Sequence, residues 1–407
     1  MRNRPYILFF AVILTAMVAS CSKNSIHGDG FSHTQSGKAE IPQRIESEER
    51  RSLLLLYSAG HNNLSSYLKA DIDDIFKGWL PGTGRNANIL LIYSHFPAKG
   101  GGYSTPTSPT LTRVSCANDG TILKDTLKVY DQGTISASAE QLNQVLSYVK
   151  EEFPVKTYGM IFSSHATGYL PTGYYSSPKS IGQEQVGSNS YEIELDDFAQ
   201  ALPMKMDYIL FDACLMGGVE VAYELKDKCH RVGFSQTEVL AEGFDYKTIT
   251  EHLLKSETPD PQAICEDYFY QYDIQSGIYR SATISLVDCS RMEPLAHTCR
   301  TLFEKYRNEI AGLSPGSVQR YYRSRYHWFY DLEDILAKAG ITAEELAQLR
   351  ESLNECIIYK ASTPEFMNEF RINTYSGLSM YLPCNGSAEL DKYYKTLQWN
   401  IDTKLVE

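Results

Sequence analysis

Strands and helices alternate along most of this 407-residue chain, which predicts an α/β fold on a largely parallel sheet, with a mainly helical region towards the carboxyl end. Three observations carry that expectation. Runs such as 53–56 and 208–211 are apolar throughout, as in strands buried on both faces. Segments with apolar residues at helical spacing follow them, so the connections read as right-handed βαβ crossovers. The apolar and charged fractions, 43% and 22%, are those of an ordinary globular protein, and the length suits one large α/β domain with an appendage or two domains.

The amino terminus stands apart from this pattern. Arg2 and Arg4 precede an almost wholly apolar run over 5–20 that ends in Val18, Ala19, Ser20 and Cys21. A short basic region, an apolar stretch and small residues at its end make a secretory signal, too short for a convincing membrane span. The cysteine at the cut resembles the lipobox of bacterial lipoproteins. That resemblance implies removal of 1–20, acylation of Cys21, and a protein anchored by lipid in the cell envelope, with the outer membrane as the expected location. Residues 21–50 are polar and aperiodic and end in a charged run, so they read as a flexible tether. A core over 51–290 and a helical region over 291–407 packed on it are expected to follow.

The elements are expected in this order. A buried strand at 53–56 leads to a helix over 62–76 with Leu64, Leu68, Ile72 and Ile75 on one side, then a strand over 88–93. The loop KGGGYSTPTSPT lacks a GK[ST] ending and a helix behind it, which argues against a phosphate cradle. Alternation around Asn118, Asp119 and Gly120 predicts a hairpin. A helix over 137–152, a strand over 158–165, a long polar loop over 172–190 and a helix over 193–201 follow. Next come the strand 208–211, a helix over 216–225, strands over 231–235 and 282–287, and a helix over 261–272 between those two. Beyond Met292 the spacing predicts helices over 294–310, 319–338 and 343–359, whose aromatic residues, among them Tyr321, Tyr322 and Trp328, read as packing. A strand over 376–383 and a last helix, with Trp399 covering an edge, close the chain.

Two strands end in residues suited to covalent chemistry. DYILFDACLMGG places Cys214 where a strand hands over to a helix, at the carboxyl edge where open α/β sheets hold their ligands. Residues two apart on a strand share a face, so Asp212 and Cys214 can look into one crevice. The preceding strand ends in His165. A nearby imidazole or helix amino terminus raises the thiolate fraction of a cysteine, and the backbone N–H groups of Cys214 and Ala166 could bind an oxyanion. A buried, inert thiol is the other reading of Cys214.

SSHATGYLP and ILFDACLMGG, in that order, resemble the His and Asp-Ala-Cys motifs of the clostripain family of cysteine peptidases, within the caspase-like clan. FSQTE at 234–238 and SGLSMYLP look like two further stretches of that family, and the resemblance runs over 53–383. It implies a caspase-like α/β/α sandwich, a catalytic dyad of His165 and Cys214, and cleavage of peptides or proteins after Arg or Lys. Asp212 would correspond to the acidic residue of the primary specificity pocket, where a carboxylate can pair with a substrate guanidinium bidentately. Ser235, Gln236 and Glu238 are expected on the substrate side, and Glu238, Glu242 or Asp245 could add a second pocket carboxylate. Family members often cut themselves between the two motifs. Here that loop is 172–190 and Lys179 is its one basic residue, so cleavage after Lys179 is expected. The chain departs from the family where a glycine usually follows the histidine, at Ala166, where Gly-Trp is Gly168 and Tyr169, and where Pro-Gly is Leu240 and Ala241. A left-handed backbone at Ala166 would be strained.

A formal charge of -12, more negative once Arg2 and Arg4 are removed, argues against nucleic acid as a partner. The nine cysteines show no CxxC spacing, so several are expected as buried free thiols. The other histidines show no paired ligand spacing, and no metal or other cofactor is expected. Asp71, Asp73 and Asp74 could attract calcium, although a solvated helix face explains them equally well. A monomer is expected. The rival reading is a non-catalytic envelope lipoprotein that binds peptides or glycans in the same crevice.

Overall fold

The computed structural model describes residues 51–100, 102–174, 180–324 and 327–407. The leader, Cys21, the tether and Lys179 lie outside the described residues. The first strand, β1 (Ser52–Ala59), is buried along its whole length, and its alternation divides it between two cores. Leu53, Leu55, Tyr57 and Ala59 join one, while Leu54 and Leu56 join the other. A strand covered on both faces has no solvent side, which is why its sequence is a continuous apolar run.

The further strands are β2 (Ile89–His95), β3 (Thr110–Cys116), β4 (Ile122–Val129), β5 (Thr157–Ser163), β6 (Ile181–Val186), β7 (Asn189–Ile193), β8 (Met206–Asp212), β9 (Cys229–Phe234), β10 (Thr283–Asp288), β11 (Tyr330–Asp331) and β12 (Ile357–Ser362). Among the described residues the large sheet runs β12-β10-β9-β8-β5-β1-β2-β3-β4. Strands β9, β8, β5, β1 and β2 pair in parallel, and antiparallel pairs flank them on both sides. Helices Ala139–Glu152 and Met292–Lys305 contribute to one core, and helices Ile249–Leu254 and Pro261–Asp273 to the other. The result is the α/β/α sandwich expected, with a parallel centre. The edge strand β4 is largely exposed and carries Lys124, Asp125 and Lys128, charges of the kind that discourage further strand pairing.

Local signals set most boundaries. Ser138 caps helix Ala139–Glu152 by accepting from the Gln141 N–H, and Leu142, Val145, Leu146 and Val149 form its buried side. Thr342 and Glu345 make a reciprocal capping box on helix Ala343–Cys356.

Four expectations need correction. The polar loop 172–190 contains most of the antiparallel hairpin β6–β7, because Gln183 and Glu184 are buried with polar partners of their own. The helix expected over 319–338 is Leu332–Lys338 only; before it, Tyr321 bonds to the backbone of Phe329 in a turned-back segment. The helix expected to continue to 359 stops at Cys356, and β12 follows it as the sheet edge beside β10. The strand expected over 376–383 is the two residues Ser379–Met380.

The carboxyl-terminal helix Gln398–Thr403 buries Trp399 completely. Its ring meets Tyr223 edge-on at 5.4 Å and Phe303 at 6.5 Å, so it joins elements of the core and of the region beyond 291. Trp399→Ala is expected to destabilise the fold by about 3–5 kcal/mol, read as a shift in a urea unfolding midpoint. A change within about 0.5 kcal/mol, the range of a surface substitution, would contradict that role.

Candidate active site

Strands β5 and β8 are adjacent, parallel, and in a register that sets Ser163 opposite Asp212. Both chains leave the sheet at the same edge. His165 and Cys214 each stand two residues beyond that paired position, so the two candidate residues emerge side by side.

His165 is largely buried, and its Nε2 bonds Asn63 Oδ1 at 2.5 Å. With the amide oxygen as partner, Nε2 carries the proton in this bond. Asn63 owes its place to Asn62, whose amide donates to Ala59 O and Gln183 O at 3.0 and 2.7 Å. Ser164 Oγ donates to the same Ala59 carbonyl at 2.8 Å. The loop after β1, the histidine loop and β6 are thereby tied together. Asn63 was not singled out from the sequence, although an Asn-Asn pair directly after a buried strand, at the carboxyl edge, was a usable signal.

Cys214 is half-buried. The Val239 N–H donates to its Sγ at 3.3 Å. Burial pushes up the thiols of Cys265 and Cys299, and that of Cys356 to about 12, which leaves those three inert. The expected helix over 216–225 begins only at Val219, so Cys214 lies on a strand-to-helix loop and not in a first helical turn. That loop is sewn down on both sides. Leu215 N donates to Thr237 O at 2.9 Å, Gly217 N to Ser235 O at 2.8 Å, and Ser379 N to Gly217 O at 2.9 Å. These bonds hold Leu215 in a left-handed conformation, φ 61°, which is rare for a residue with a side chain.

The histidine and cysteine loops touch at Gly168, which also has φ 61°. A Cβ there would lie 2.4 Å from the Leu215 carbonyl oxygen. The left-handed backbone thus falls on a glycine and not on Ala166, which removes the strain expected at that position. Tyr169, in the place where the family has Trp, is fully buried and its hydroxyl donates to Trp328 O at 2.6 Å.

Asp212 is buried, and Tyr246 OH donates to its Oδ2 at 2.7 Å. Burial lifts its pKa to about 6 against the pull of that hydrogen bond. Asp71, on helix Ser65–Ile75, is raised to about 9 by burial first and then by the charges of Asp212, Asp74 and Glu242. Gly243, with φ +60°, lays its backbone against the carboxylate, since a Cβ there would lie 2.3 Å from Asp212 Oδ2. Beside this group a cavity of about 290 Å³ is lined by Glu242, Gln271, Tyr272, Gln275 and Tyr279.

The FSQTE stretch is placed differently from the expectation. Ser235 and Gln236 are wholly buried. Ser235 Oγ bonds Thr283 Oγ1 at 2.9 Å, and Gln236 Nε2 donates to Gly377 O at 2.8 Å. Their side chains anchor the cysteine loop from inside instead of meeting a substrate. Glu238 takes the Arg323 guanidinium at 2.9 Å. Among the described residues no cluster of three or more His, Cys, Asp or Glu could hold a metal ion, and Asp74 is engaged by Lys77 and Lys247.

The model of the Clostripain family matches residues 56–405. The chain belongs to the clostripain family. It is a cysteine peptidase of that family, 20% identical to clostripain of Hathewaya histolytica over 94% of this chain and 85% of that protein. A solved inactive zymogen C11 protease from Parabacteroides distasonis is 30% identical, with a TM-score of 0.74 over 87% of this chain and 98% of its own. A secreted C11 cysteine protease from Bacteroides thetaiotaomicron, solved with an irreversible peptide inhibitor, has the same fold: TM-score 0.72 and 23% identity over 87% and 99%. No helix among the described residues of this clostripain-family peptidase is long and apolar enough to cross a membrane.

Two substitutions probe the geometry around the cysteine of the peptidase. Gly168→Ala should lower the melting temperature and activity together, because a side chain in a left-handed, closed position costs more than about 1 kcal/mol; unchanged values would show that the two loops do not need this approach. Asn63→Ala should leave stability unchanged but reduce kcat by roughly tenfold or more, a fraction of what acid–base catalysis contributes, with KM little altered.

Proposed function

We propose that this cysteine peptidase is an endopeptidase that cleaves after Arg or Lys, with Cys214 as nucleophile and His165 as its acid–base partner. The observation that carries the reading is the β5–β8 register, which brings the two residues to one edge of the sheet. The Cys214 thiolate attacks the scissile carbonyl carbon, and the carbonyl electron pair moves to oxygen. His165 then protonates the leaving amine, and as a base it activates the water that hydrolyses the thioester.

The N–H groups of Cys214 and Ala166 are assigned to the oxyanion. The amides of Leu215 and Gly217 on one side and of Thr167 on the other are engaged with Thr237, Ser235 and Ser180, which supports that choice. Asp212 selects the basic side chain: it is a buried carboxylate with a tyrosine hydroxyl, and no Lys or Arg among the described residues pairs with it. Self-cleavage after Lys179 and lipid attachment at Cys21, holding the enzyme in the outer membrane, complete the proposal.

A fluorogenic peptide panel with Arg, Lys, Asn and Asp at the cleavage position tests it. Turnover is expected with Arg and Lys only, and Cys214→Ala should abolish it. No turnover of any peptide by processed enzyme overturns the assignment of the cysteine; turnover after Asn or Asp alone overturns that of Asp212. On a denaturing gel the wild-type chain should separate into two fragments, the first ending at Lys179 by mass spectrometry, while the Cys214→Ala chain stays whole.

A further inference from the structure

Asp71 has no part in the function proposed above, yet it is an unusual residue. It lies on helix Ser65–Ile75 and is only 8% exposed. Its Oδ2 is buried with no hydrogen-bond partner. The neighbouring acids on that helix behave otherwise, since Asp74 takes two lysines at the surface. An isolated carboxyl group in such a place costs stability and brings no structural bond in return.

The loop after β9 reaches the helix of Asp71, since Lys247, next to Tyr246, meets Asp74 Oδ2 at 3.8 Å, and the groups whose charges act on Asp71 or with it come from several elements. Asp74 is on its own helix, Asp212 at the end of β8, Glu242 and Tyr246 in the loop after β9, and Tyr272 on helix Pro261–Asp273. All are acids or phenols, and no cation is among them. Tyr246, which bonds Asp212, also feels Asp71. Tyr272, which lines the 290 Å³ cavity, feels Asp212, Glu242 and Asp71 together. Lys77 and Lys247 are taken by Asp74, and two buried carboxyl groups whose charges oppose each other cannot both ionise easily, so they keep a proton that an incoming cation can replace.

We infer that Asp71 is a second specificity-determining residue: with Asp212 it forms a carboxyl pair that receives the guanidinium or ammonium of the substrate's Arg or Lys and releases one proton to solvent as the cation enters. The inference rests on the Arg or Lys preference proposed above. It makes substrate binding pH-dependent in a known direction. The two carboxyl groups oppose each other's ionisation, so the cation competes with a proton near neutral pH and binds more tightly as pH rises.

Steady-state kinetics with Arg-coumarin and Lys-coumarin peptides, on processed wild type and on Asp71→Asn, test this between about pH 6 and about pH 9. Wild-type KM should fall with rising pH, by up to about tenfold per unit. For Asp71→Asn it should stay flat, so that the curves converge towards acid and part towards alkali, reaching roughly tenfold or more. The rate of Cys214 alkylation by iodoacetamide should not change, and the melting temperature should be equal or higher, because an amide replaces a buried acid. Superimposable KM curves overturn this inference while leaving cleavage after Arg and Lys intact. No cleavage after either residue by wild type overturns both readings. Should Asp71→Asn fail to fold, wild type alone decides with benzamidine, a cation that keeps its charge across this range: its Ki should fall with pH, and a flat Ki or no inhibition overturns the inference.

Discussion

The pairing of Ser163 with Asp212 across two parallel strands is the constraint on which the rest of the site depends. Both strands are buried on both faces, so their register is specified twice, once by each core. A slip of one residue would send every side chain of a strand to the opposite face. The sandwich therefore fixes where each chain leaves the sheet, and His165 and Cys214 inherit that position. Loops of this length are normally free to drift, and here they do not. Gly168 meets the Leu215 carbonyl, and the cysteine loop is bonded to the loop after β9 and to Ser379.

Buried acids serve two purposes around this edge. Glu220, directly behind the cysteine loop, is raised to about 7 by burial, while the Tyr381 N–H and the Tyr394 hydroxyl both donate to its Oε1. These bonds connect the helix after Cys214 to the carboxyl-terminal region, a structural use of charge compensated by donors. Asp212 and Asp71 face a different environment of acids and phenols, one of them bonded to a single hydroxyl and the other without a partner at Oδ2. Glu220 too has one buried oxygen, Oε2, without a partner, but two donors hold its Oε1; a fold tolerates the acids around Asp212 when something outside the chain can compensate them.

The sheet order could be anticipated only in part from the amino acids. Strands β1, β2, β5 and β8 announce themselves as apolar runs because a doubly covered strand has no polar face. Strand β6 does not, since Gln183 and Glu184 are buried with their side chains bonded to Ser190 Oγ and to the Ser136 N–H, partners outside the strand. The turned-back segment before Leu332 looks helical for a related reason: its aromatic residues have helical spacing, but Tyr321 is held by Asp331 and Thr374, and these tertiary bonds override the local preference. Ser235 and Gln236 read as residues on the substrate side until Thr283 and Gly377 are seen to take their side chains.

By itself the sequence determined the alternation of strands and helices, the two motifs at strand ends, and Asp212 two residues before the cysteine, because each depends on spacing of two or of 3.6 residues within one segment. Tertiary structure alone decided that Asn63 orients His165, that Gly168 and not Ala166 carries the left-handed turn, and that the charge of Asp212 acts on Asp71. Each of those facts joins residues from different segments across the sheet edge. Local periodicity carries no information about such meetings; the strand register does.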